Sequence, residues 1–358
     1  MGKTYKNLYE QVIHPLNIWV AYKQAARGKR YKPAAAYFEY DLEKNLIELE
    51  QVLLTEAYQP GEYHNFHIHK PKRRLISAAP FRDRVVHHAL MNVIEPLFER
   101  GFIFDSYANR KGKGTHKAID RCTYWLRRYR YVMHLDVRQF FPSIDHEILL
   151  RILSHTIGDE RVMNLVKKII NSGAGVQAGE YETVYFPGDD IFSANRPRGL
   201  PIGNLTSQHW ANVYLNQLDQ YAKRVLKCQA YIRYVDDVLL FTQDKEALLD
   251  WRTEIIFFLR TLRLTIHETK AQPRPTGTGI PFLGFQVFPT HRRIRPSNGY
   301  AFQRRFKRML LDVQSGNLSQ KDFSGRLVSW LNHASYGDTW GLKRSILIKS
   351  GIYGGQDG

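Results

Sequence analysis

The chain has 358 residues, of which 43% are hydrophobic, so it can bury a sizeable core and is expected to form two or three subdomains. This composition excludes wholesale disorder. Lysine and arginine total 52 against 34 aspartate and glutamate, and the resulting charge of +18 is spread along the whole chain. Such an excess indicates a polyanionic partner, most simply a nucleic acid. An anionic membrane surface is the alternative, but we find no apolar stretch long enough to span a bilayer and no lipidation signal, so no membrane partner is expected.

The cellular compartment is indicated by the N-terminus and the cysteines. The opening Met1–Lys6 has no apolar signal-peptide core. Two cysteines, Cys122 and Cys228, cannot build a disulfide framework and fit a reducing environment. We therefore expect a cytoplasmic protein.

The first 60 residues are predicted to be helical, since Leu46, Leu49 and Leu53 recur at helical spacing after Asp41, a candidate N-cap. Three further elements should follow before residue 100: a strand at Tyr63–His69, a second strand at Leu75–Ser77 after the basic turn Lys70–Arg74, and a largely buried helix at Arg82–Phe98.

Two patterns in the first third resemble ligand sites without meeting their requirements. His64, His67 and His69 could suggest a metal, but a structural zinc site needs four ligands, usually with cysteine, and no cysteine is near. We therefore favour histidines on a strand face. The loop Gly112–His116 lacks the spacing of a Walker phosphate loop and is interpreted as a basic loop before a helix that carries Trp125–Arg128.

A carboxylate ends an apolar strand near the middle of the chain. The strand is predicted at Tyr131–Asp136, and an aromatic-rich turn separates it from a helix that starts at Asp145. Helices are expected over about 145–170 and 206–227, with a polar connector over 158–198.

Two further acids lie within Tyr231–Phe241. The flanks are rich in β-formers and predict a hairpin, with Asp236 and Asp237 at its turn. For an isolated Asp-Asp pair, a solvated acidic turn without function is the favoured interpretation. The two residues are nevertheless unfavourable in a hairpin turn, because like charges repel and neither residue favours positive φ as glycine does. A locally unfavourable choice in an otherwise consistent hairpin indicates function.

The remaining chain is predicted to hold a helix at Lys245–Arg260, a strand and loop with Lys270, and a strand pair or bend at Pro281–Pro289. From about residue 291 we expect a small basic helical domain. Its first helix has an apolar stripe formed by Phe302, Phe306, Met309, Leu310 and Val313. Ser319 and Asp338 are candidate N-caps of two more helices, with Trp330 and Leu331 facing inward on the first of them.

The three acids together permit metal-dependent nucleotidyl transfer. That chemistry needs carboxylates from different elements holding two cations about 3.5–4 Å apart. Asp136 and the pair Asp236-Asp237 would meet this need if their strands lie side by side. The element order predicts an α+β fold in which a split βαβ, ferredoxin-like antiparallel sheet has helices on one face. The other face would be open to a nucleic-acid duplex.

A series of motifs in fixed order resembles the reverse transcriptases. The matching segments are Arg73–Ser77 with Arg82–Arg84, Ser106–Thr115, Leu135–Ile144, Leu200–Gln208, Tyr234-Val-Asp-Asp237, His267–Lys270 and Phe282–Phe285. The resemblance spans about residues 60–290. It implies a right-hand polymerase with fingers at 1–130, a palm at 131–290 whose part 158–198 is a connector on the fingers side, and a small helical thumb at 291–358. The implied activity is RNA-directed DNA synthesis.

One of these segments, Leu200–Gln208, indicates which group of reverse transcriptases the chain resembles most. Retroviral, intron and retron enzymes usually carry Gln-Gly and Ser-Pro where this chain has Ile202-Gly203 and Ser207-Gln208. This variant, with Lys3–Tyr9 and Ser329–Ala334, is similar to reverse transcriptases of bacterial or phage diversity-generating retroelements. Such enzymes copy a template-repeat RNA with errors opposite adenine (mutagenic retrohoming) and work with a small basic helical-bundle accessory protein.

Three alternatives stay open. A retron enzyme or an antiviral-defence reverse transcriptase would use the same chemistry on a different product. A non-catalytic RNA-binding derivative would be expected to lose a metal acid, whereas all three are present. No maturase or endonuclease domain is expected.

The resemblance also implies roles for the acids. Asp136, Asp236 and Asp237 would ligate two Mg²⁺ ions, with the backbone carbonyl of Val137 as an extra ligand. One ion would activate the primer 3′-hydroxyl, and the other would neutralise the triphosphate and the leaving pyrophosphate.

Further roles concern the incoming deoxynucleoside triphosphate. Arg73 and Arg74 would bind its phosphates, although a solvated basic turn is the alternative. Phe141 would be the steric gate against a ribose 2′-hydroxyl, or else an ordinary core residue like Phe140. Lys270 would be a general acid to pyrophosphate or simply a surface lysine.

The last roles concern the template and the duplex. Ile202 and Gln208 would lie near the templating pair, and we hypothesise that apolar Ile202 removes hydrogen bonds that could penalise mispairs. On the thumb, Arg304, Arg305, Lys307 and Arg308 would track the phosphates of the template–primer duplex. A solvated helix face is the alternative.

Overall fold

The computed structural model describes residues 3–69 and 73–348. The first three residues of the predicted basic turn, at 70–72, and the last ten of the predicted thumb, at 349–358, lie outside the described residues, as do residues 1–2.

The N-terminal part is helical, as predicted. It contains α1 (Tyr9–Ile13), α2 (Pro15–Ala26), α3 (Pro33–Tyr40) and α4 (Leu42–Leu54). The first three of these helices pack against α5 (Phe81–Glu99), whose buried residues include Val85, Val86 and Leu90, and α4 packs on the first three. Asp41 precedes α4 as predicted, but its side chain makes no capping hydrogen bond.

A two-stranded hairpin connects α4 to α5. Its strands are β1 (His64–Ile68) and β2 (Arg74–Ala78), paired antiparallel with His64 opposite Ala78, which confirms both predicted strands. Every residue of β1 is exposed, so His64 and His67 lie on an open strand as expected.

The central sheet has four strands. They are β3 (Tyr131–Asp136), β4 (Ala230–Tyr234), β5 (Asp237–Thr242) and β6 (Arg274–Pro275), in the order β4-β5-β3-β6 with every neighbouring pair antiparallel. The prediction that the strand of Asp136 lies beside the hairpin strands is therefore confirmed. The order is that of a split βαβ unit. The strand predicted before Lys270 is reduced to a single bridge between Val137 and Ile266.

Four helices cover or support one face of this sheet. They are α8 (His146–Ser154), α9 (Glu160–Ser172), α10 (Leu205–Arg224) and α11 (Lys245–Thr261), and a short helix, α7 (Phe140–Ser143), precedes them. Met133, Leu135, Val238 and Leu240 of the sheet are buried in the core that these helices share.

The single helix expected over 145–170 is wrong, because the chain breaks between α8 and α9. The N-terminal segment pairs with the break: Tyr5 N–H donates to the Thr156 carbonyl at 2.9 Å, and Gly158 N–H donates to the Tyr5 carbonyl at 2.7 Å. Asp159 then accepts from Val162 N–H and caps α9. These long-range bonds have no local sequence signal.

The polar connector predicted over 158–198 is also wrong in its first part. Residues 160–172 form the amphipathic helix α9, which buries Val162, Val166 and Ile169. Only the remainder is irregular, with short 3-10 turns at Ala178–Glu180 and Ile191–Asn195.

The second face of the central sheet is not open along its whole length, contrary to the prediction. It is partly covered by α6 (Thr115–Leu126) and by a three-stranded sheet of β7 (Ile280–Phe282), β8 (Phe285–Val287) and β9 (Arg292–Ile294). Val132, Leu239 and Phe241 are buried there in one cluster with α6 and β8. Strands that are apolar on both faces need cover on both.

Three helices follow: α12 (Pro296–Gln314), α13 (Gln320–Ala334) and α14 (Trp340–Ile348). The predicted apolar stripe is confirmed at Phe302, Phe306 and Met309, which are buried, and the ring of Trp330 stacks on Phe302 with centroids 3.7 Å apart. Ser319 caps α13 as predicted.

The N-cap at Asp338 is wrong, since α14 begins at Trp340 and the residue before it is Thr339, whose hydroxyl instead donates to the Ala334 carbonyl at 2.6 Å. None of the helices in the described residues is long and apolar enough to cross a membrane.

Candidate active site

Asp136 and Asp237 face each other across two neighbouring strands. Asp136 is the last residue of β3, Asp237 is the first residue of β5, and the antiparallel register places them directly opposite. Residues opposite in this way present their side chains on the same face of a sheet. Both carboxylates remain accessible, with side-chain exposures of 31% and 33%. The apolar residues of both strands are buried, so the rigid core fixes the two backbones that carry the acids.

The third acid lies in the hairpin turn. Tyr234 pairs with Asp237, so the two-residue turn is Val235-Asp236 rather than Asp236-Asp237 as predicted. Val235 adopts the left-handed conformation with φ of +57°, which is strained for a β-branched residue. Val137 N–H donates to the Asp236 carbonyl at 3.3 Å and ties the turn to the end of β3.

The three acids share one electrostatic site. Burial and the charges of Asp237 and Asp136 together raise the pKa of Asp236 to about 6, with burial the largest cause, and Arg74 opposes the shift. Burial of the charged form and repulsion among carboxylates are the expected causes of such a rise. The site therefore carries excess negative charge that a cation would relieve.

Two histidines beside the acids were not predicted. His134 Nε2 lies 2.7 Å from Asp237 Oδ1, where a ring N–H donates to the carboxylate. His267 Nε2 lies 3.9 Å from Asp136 Oδ2, and its backbone N–H donates to the Asp136 carbonyl at 3.0 Å. His134 had a signal, because it is a polar residue inside an apolar strand, two residues before Asp136 and so on the same face. His267 had none outside its motif.

The acids fit a divalent cation in chemistry but do not form a closed cage. In the part of the chain that the structure describes, no group of three or more His, Cys, Asp or Glu side chains is arranged to hold a metal. Mg²⁺ prefers oxygen ligands and uses only one or two protein carboxylates, the rest being water and substrate phosphate. Neighbouring carboxylates that repel each other, as these do, can supply the one or two protein oxygen ligands that Mg²⁺ needs.

The segment with Ile202 is attached to β2. Ser77 N–H donates to the Ile202 carbonyl at 2.9 Å, and the Asn204 side chain donates to the Ser77 carbonyl at 2.9 Å. These bonds bring the half-buried Ile202 next to the strand that carries Arg74.

Arg73 and Arg74 separate in the structure. Arg74 acts electrostatically on Asp236, whereas Arg73 Nη2 lies 3.1 Å from His67 Nε2 on the exposed β1–β2 hairpin. Arg74 is thus close enough to the acids to lower the pKa of Asp236.

The other predicted nucleotide-site residues occupy three different elements. Phe141 is half-buried on α7 with its carbonyl accepting from Leu200 N–H at 3.0 Å, while neighbouring Phe140 is a core residue as expected. Gln208 lies in the first turn of α10 and is half-buried. Lys270 is exposed in the loop of His267, to whose carbonyl its backbone N–H donates at 3.0 Å.

The basic stripe lies on α12, in the C-terminal helical layer. All four of its members, Arg304, Arg305, Lys307 and Arg308, are exposed, while the intervening Phe306 is buried. The helix therefore presents an apolar face to its own layer and a cationic face to solvent.

Comparisons with known proteins show the family of this chain. Residues 67–287 match the family described as "Reverse transcriptase (RNA-dependent DNA polymerase)", a span that contains all three acids. Protein YkfC of Escherichia coli (strain K12) is 26% identical over 296 residues, which cover 72% of this chain and 73% of that protein.

Two intron-associated proteins match over shorter shares. Group II intron-encoded protein LtrA of Lactococcus lactis subsp. cremoris is 23% identical over 231 residues, covering 62% of this chain and 36% of LtrA. An uncharacterised 91 kDa protein in the cob intron of Schizosaccharomyces pombe is 31% identical over 161 residues, covering 43% of this chain and 17% of that protein. The match thus spans well under half of these two relatives.

Proposed function

This chain belongs to the reverse transcriptase family of RNA-dependent DNA polymerases, and we propose that its polymerase site is built on Asp136, Asp236 and Asp237. In the reaction, the primer 3′-oxygen forms a bond to the α-phosphorus of a deoxynucleoside triphosphate, and pyrophosphate leaves. The observation that carries the proposal is the placement of Asp136 opposite Asp237, beside an Asp236 whose pKa is raised to about 6.

The proposed architecture is a right hand with fingers at 1–130, a palm at 131–290 and a thumb at 291–358. The split βαβ order of the central sheet supports a palm. The exposed β1–β2 hairpin and the separate helical layer of α12–α14 occupy positions along the chain suited to fingers and thumb.

The three carboxylates, with the Val137 carbonyl, would hold two Mg²⁺ ions. When bound, such a pair supplies activation of the primer hydroxyl and neutralisation of the triphosphate charge. Asp236 must lose its proton before it can act as a ligand. His134 holds Asp237 through its ring N–H, so this carboxylate is oriented before any ligand arrives.

The proposed substrate roles rest on the resemblance of the motifs. Arg74, beside the acids, and Arg73, on the hairpin, would bind the triphosphate, and Lys270 would give a proton to the leaving pyrophosphate. Phe141 would exclude a ribose 2′-hydroxyl. Ile202 and Gln208 would contact the templating pair, and template RNA paired with primer would occupy the part of the sheet face that α6 and β7–β9 leave uncovered.

Primer extension on an RNA template with Mg²⁺ tests this function. Wild type should extend the primer, and Asp236→Ala with Asp237→Ala should reduce extension to background. Asp250→Asn, an exposed acid on α11, is the matched control and should extend at the wild-type rate. Equal activity of the double variant and wild type would refute the proposal.

We further propose that the enzyme is of the diversity-generating type, copying a template-repeat RNA with errors opposite adenine alongside a small basic helical accessory protein. Its support is the block Ile202-Gly203 and Ser207-Gln208. Neighbouring DNA with a near-repeat pair differing mainly at adenines would support it, and accurate copying of template adenines would contradict it in favour of a retron or defence enzyme.

A further inference from the structure

Arg233 is a fully buried cation immediately before the catalytic hairpin turn. It lies on β4 with no exposed side-chain surface, and its partner Asp219 on α10 is equally buried. The guanidinium binds this carboxylate in bidentate fashion, with Nε to Oδ1 at 2.7 Å and Nη2 to Oδ2 at 2.7 Å. Tyr231 Oη donates to the same Oδ1 at 2.7 Å.

The remaining three N–H groups of Arg233 reach two further residues. Nη1 donates to Asn212 Oδ1 at 3.0 Å and to the Val235 carbonyl at 3.1 Å, and Nη2 donates to the Asn212 carbonyl at 3.3 Å. All five guanidinium donors are therefore satisfied. One of them ends on the strained residue of the turn, so a single side chain connects α10 to the backbone that carries Asp236.

The strand that carries Arg233 is also held on its outer edge. Arg233 N–H donates to the Asp105 carbonyl at 2.9 Å, and Tyr107 N–H donates to the Arg233 carbonyl at 2.9 Å. The end of β4 is thus fixed from both sides. Val235, two residues after Arg233, is the residue that departs from regular strand geometry. The Arg233 side chain donates a hydrogen bond to the Val235 carbonyl.

We propose that Arg233 is a positioning residue, whose network with Asp219 and Asn212 holds Val235 in its left-handed conformation and thereby fixes the direction of Asp236 and Asp237. Strained backbone persists only where the surroundings over-determine it. A buried ion pair is weak evidence for a purely stabilising role, because an apolar pair of similar volume is often as stable. An apolar pair could not hold the Val235 carbonyl. The inference deepens the proposed polymerase function and rests on it for its consequence.

The decisive variant removes both buried charges together. Arg233→Met with Asp219→Leu leaves no unpaired charge in the core, so the protein should fold. The control is Arg161→Met with Glu10→Leu, which removes an ion pair of 2.6 Å between α9 and α1, away from β4, and Arg161 also donates to the Leu54 carbonyl. Arg233→Lys is a milder second variant that keeps the positive charge but loses the planar guanidinium, which binds Asp219 through two hydrogen bonds.

Hydrogen exchange of metal-free protein gives a readout that needs no activity. Amides of residues 234–238 should exchange at least 10-fold faster in the Arg233 double variant, with the rest of the palm unchanged. Mn²⁺, used as a spectroscopic probe, should bind at least 10-fold more weakly. In primer extension the maximal rate should fall at least 10-fold. The control pair should leave all three values at wild type.

A rescue variant separates positioning from general support. Glycine adopts positive φ without strain, so adding Val235→Gly to the Arg233 double variant should recover part of the lost Mn²⁺ affinity. A merely structural role of Arg233 would predict no recovery.

Unchanged exchange and Mn²⁺ affinity in the double variant would overturn the inference, whatever the polymerase activity. If the double variant does not fold, Arg233→Lys must show the faster hairpin exchange, or the inference is wrong. Absence of primer extension by wild type would instead refute the proposed function, and the exchange comparison would still decide the role of Arg233 in the turn.

Discussion

Asp236 is the residue whose protonation changes the charge of the site. Its pKa stands near 6, above its ordinary value of 3.8, because of burial and the charges of Asp237 and Asp136. The folded protein therefore binds this proton more tightly than the unfolded chain. The stability that Asp236 contributes is fully present below pH 3.8 and is lost as pH rises through 6.

Asp236→Asn removes this pH dependence. Without divalent cations, the variant should be more stable than wild type at pH 7.5 by roughly 1–2 kcal/mol, allowing for solvent screening. The difference should vanish near pH 4, and denaturant unfolding at both pH values measures it. A variant less stable than wild type at pH 7.5 would show that the acids do not repel one another in the folded state.

Ile202 is the residue on which the proposed diversity-generating subtype depends. Its carbonyl is fixed by Ser77, so a side-chain change should alter contacts to the template without moving the segment. Ile202→Gln should lower misincorporation opposite adenine about 10-fold, the effect of roughly 1.4 kcal/mol of discrimination. Sequencing of cDNA copied from an adenine-containing RNA measures it. Ile191→Gln, at an exposed isoleucine, is the control, and unchanged error rates in Ile202→Gln would refute the hypothesis.

At the scale of elements, helix α12 offers the clearest test of nucleic-acid binding. Its exposed cations should each neutralise a phosphate, and each lost contact should reduce the slope of log affinity against log salt by about 0.7–0.9. Arg304→Gln with Lys307→Gln should therefore lower the slope for a template–primer duplex by between 1 and 2. Filter binding over a salt series measures it.

The control for α12 removes the same charge elsewhere. Lys44→Gln with Lys245→Gln changes two exposed lysines on α4 and α11 and should leave the slope unchanged. An equal effect of both pairs would mean that net charge, rather than the α12 stripe, determines binding.

The elements that could be predicted are those with a strong local pattern. β3 ends at Asp136 as expected, since an apolar run and a terminal acid define it, and α5, α11 and α12 follow from their helical periodicity. The elements that were missed depend on distant partners. α9 is separated from α8 by pairing with Tyr5, and β9 exists because Arg292–Ile294 pairs with β8.

The site shows the same division. Its three acids could be found from their positions at strand ends and in motifs, whereas Val235 as the strained residue could not, because φ depends on the register between β4 and β5. His267 reaches Asp136 from a loop more than a hundred residues away. Such contacts arise only when the chain is folded.

At the scale of the whole molecule, the three acids lie at the end of the second sheet face that α6 and the β7–β9 sheet leave uncovered. α6 and the β7–β9 sheet bury the far part of that face, and the acidic end stays partly exposed. A chain with a net charge of +18 therefore leaves its negative charge exposed at the proposed polymerase site. This separation suits a polyanionic duplex held by cationic surfaces and a reaction centre that attracts cations.

Asp136 is the acid whose role depends most on the fold, because a hundred residues separate it from its neighbours in the hairpin. Single-nucleotide extension of a primer on RNA by Asp136→Asn, measured under single-turnover conditions with Mg²⁺, tests the account most directly. We expect the rate to fall by at least about 1,000-fold, with folding intact and with the Asp250→Asn control at the wild-type rate. Extension by Asp136→Asn at the wild-type rate would contradict the assignment of this site.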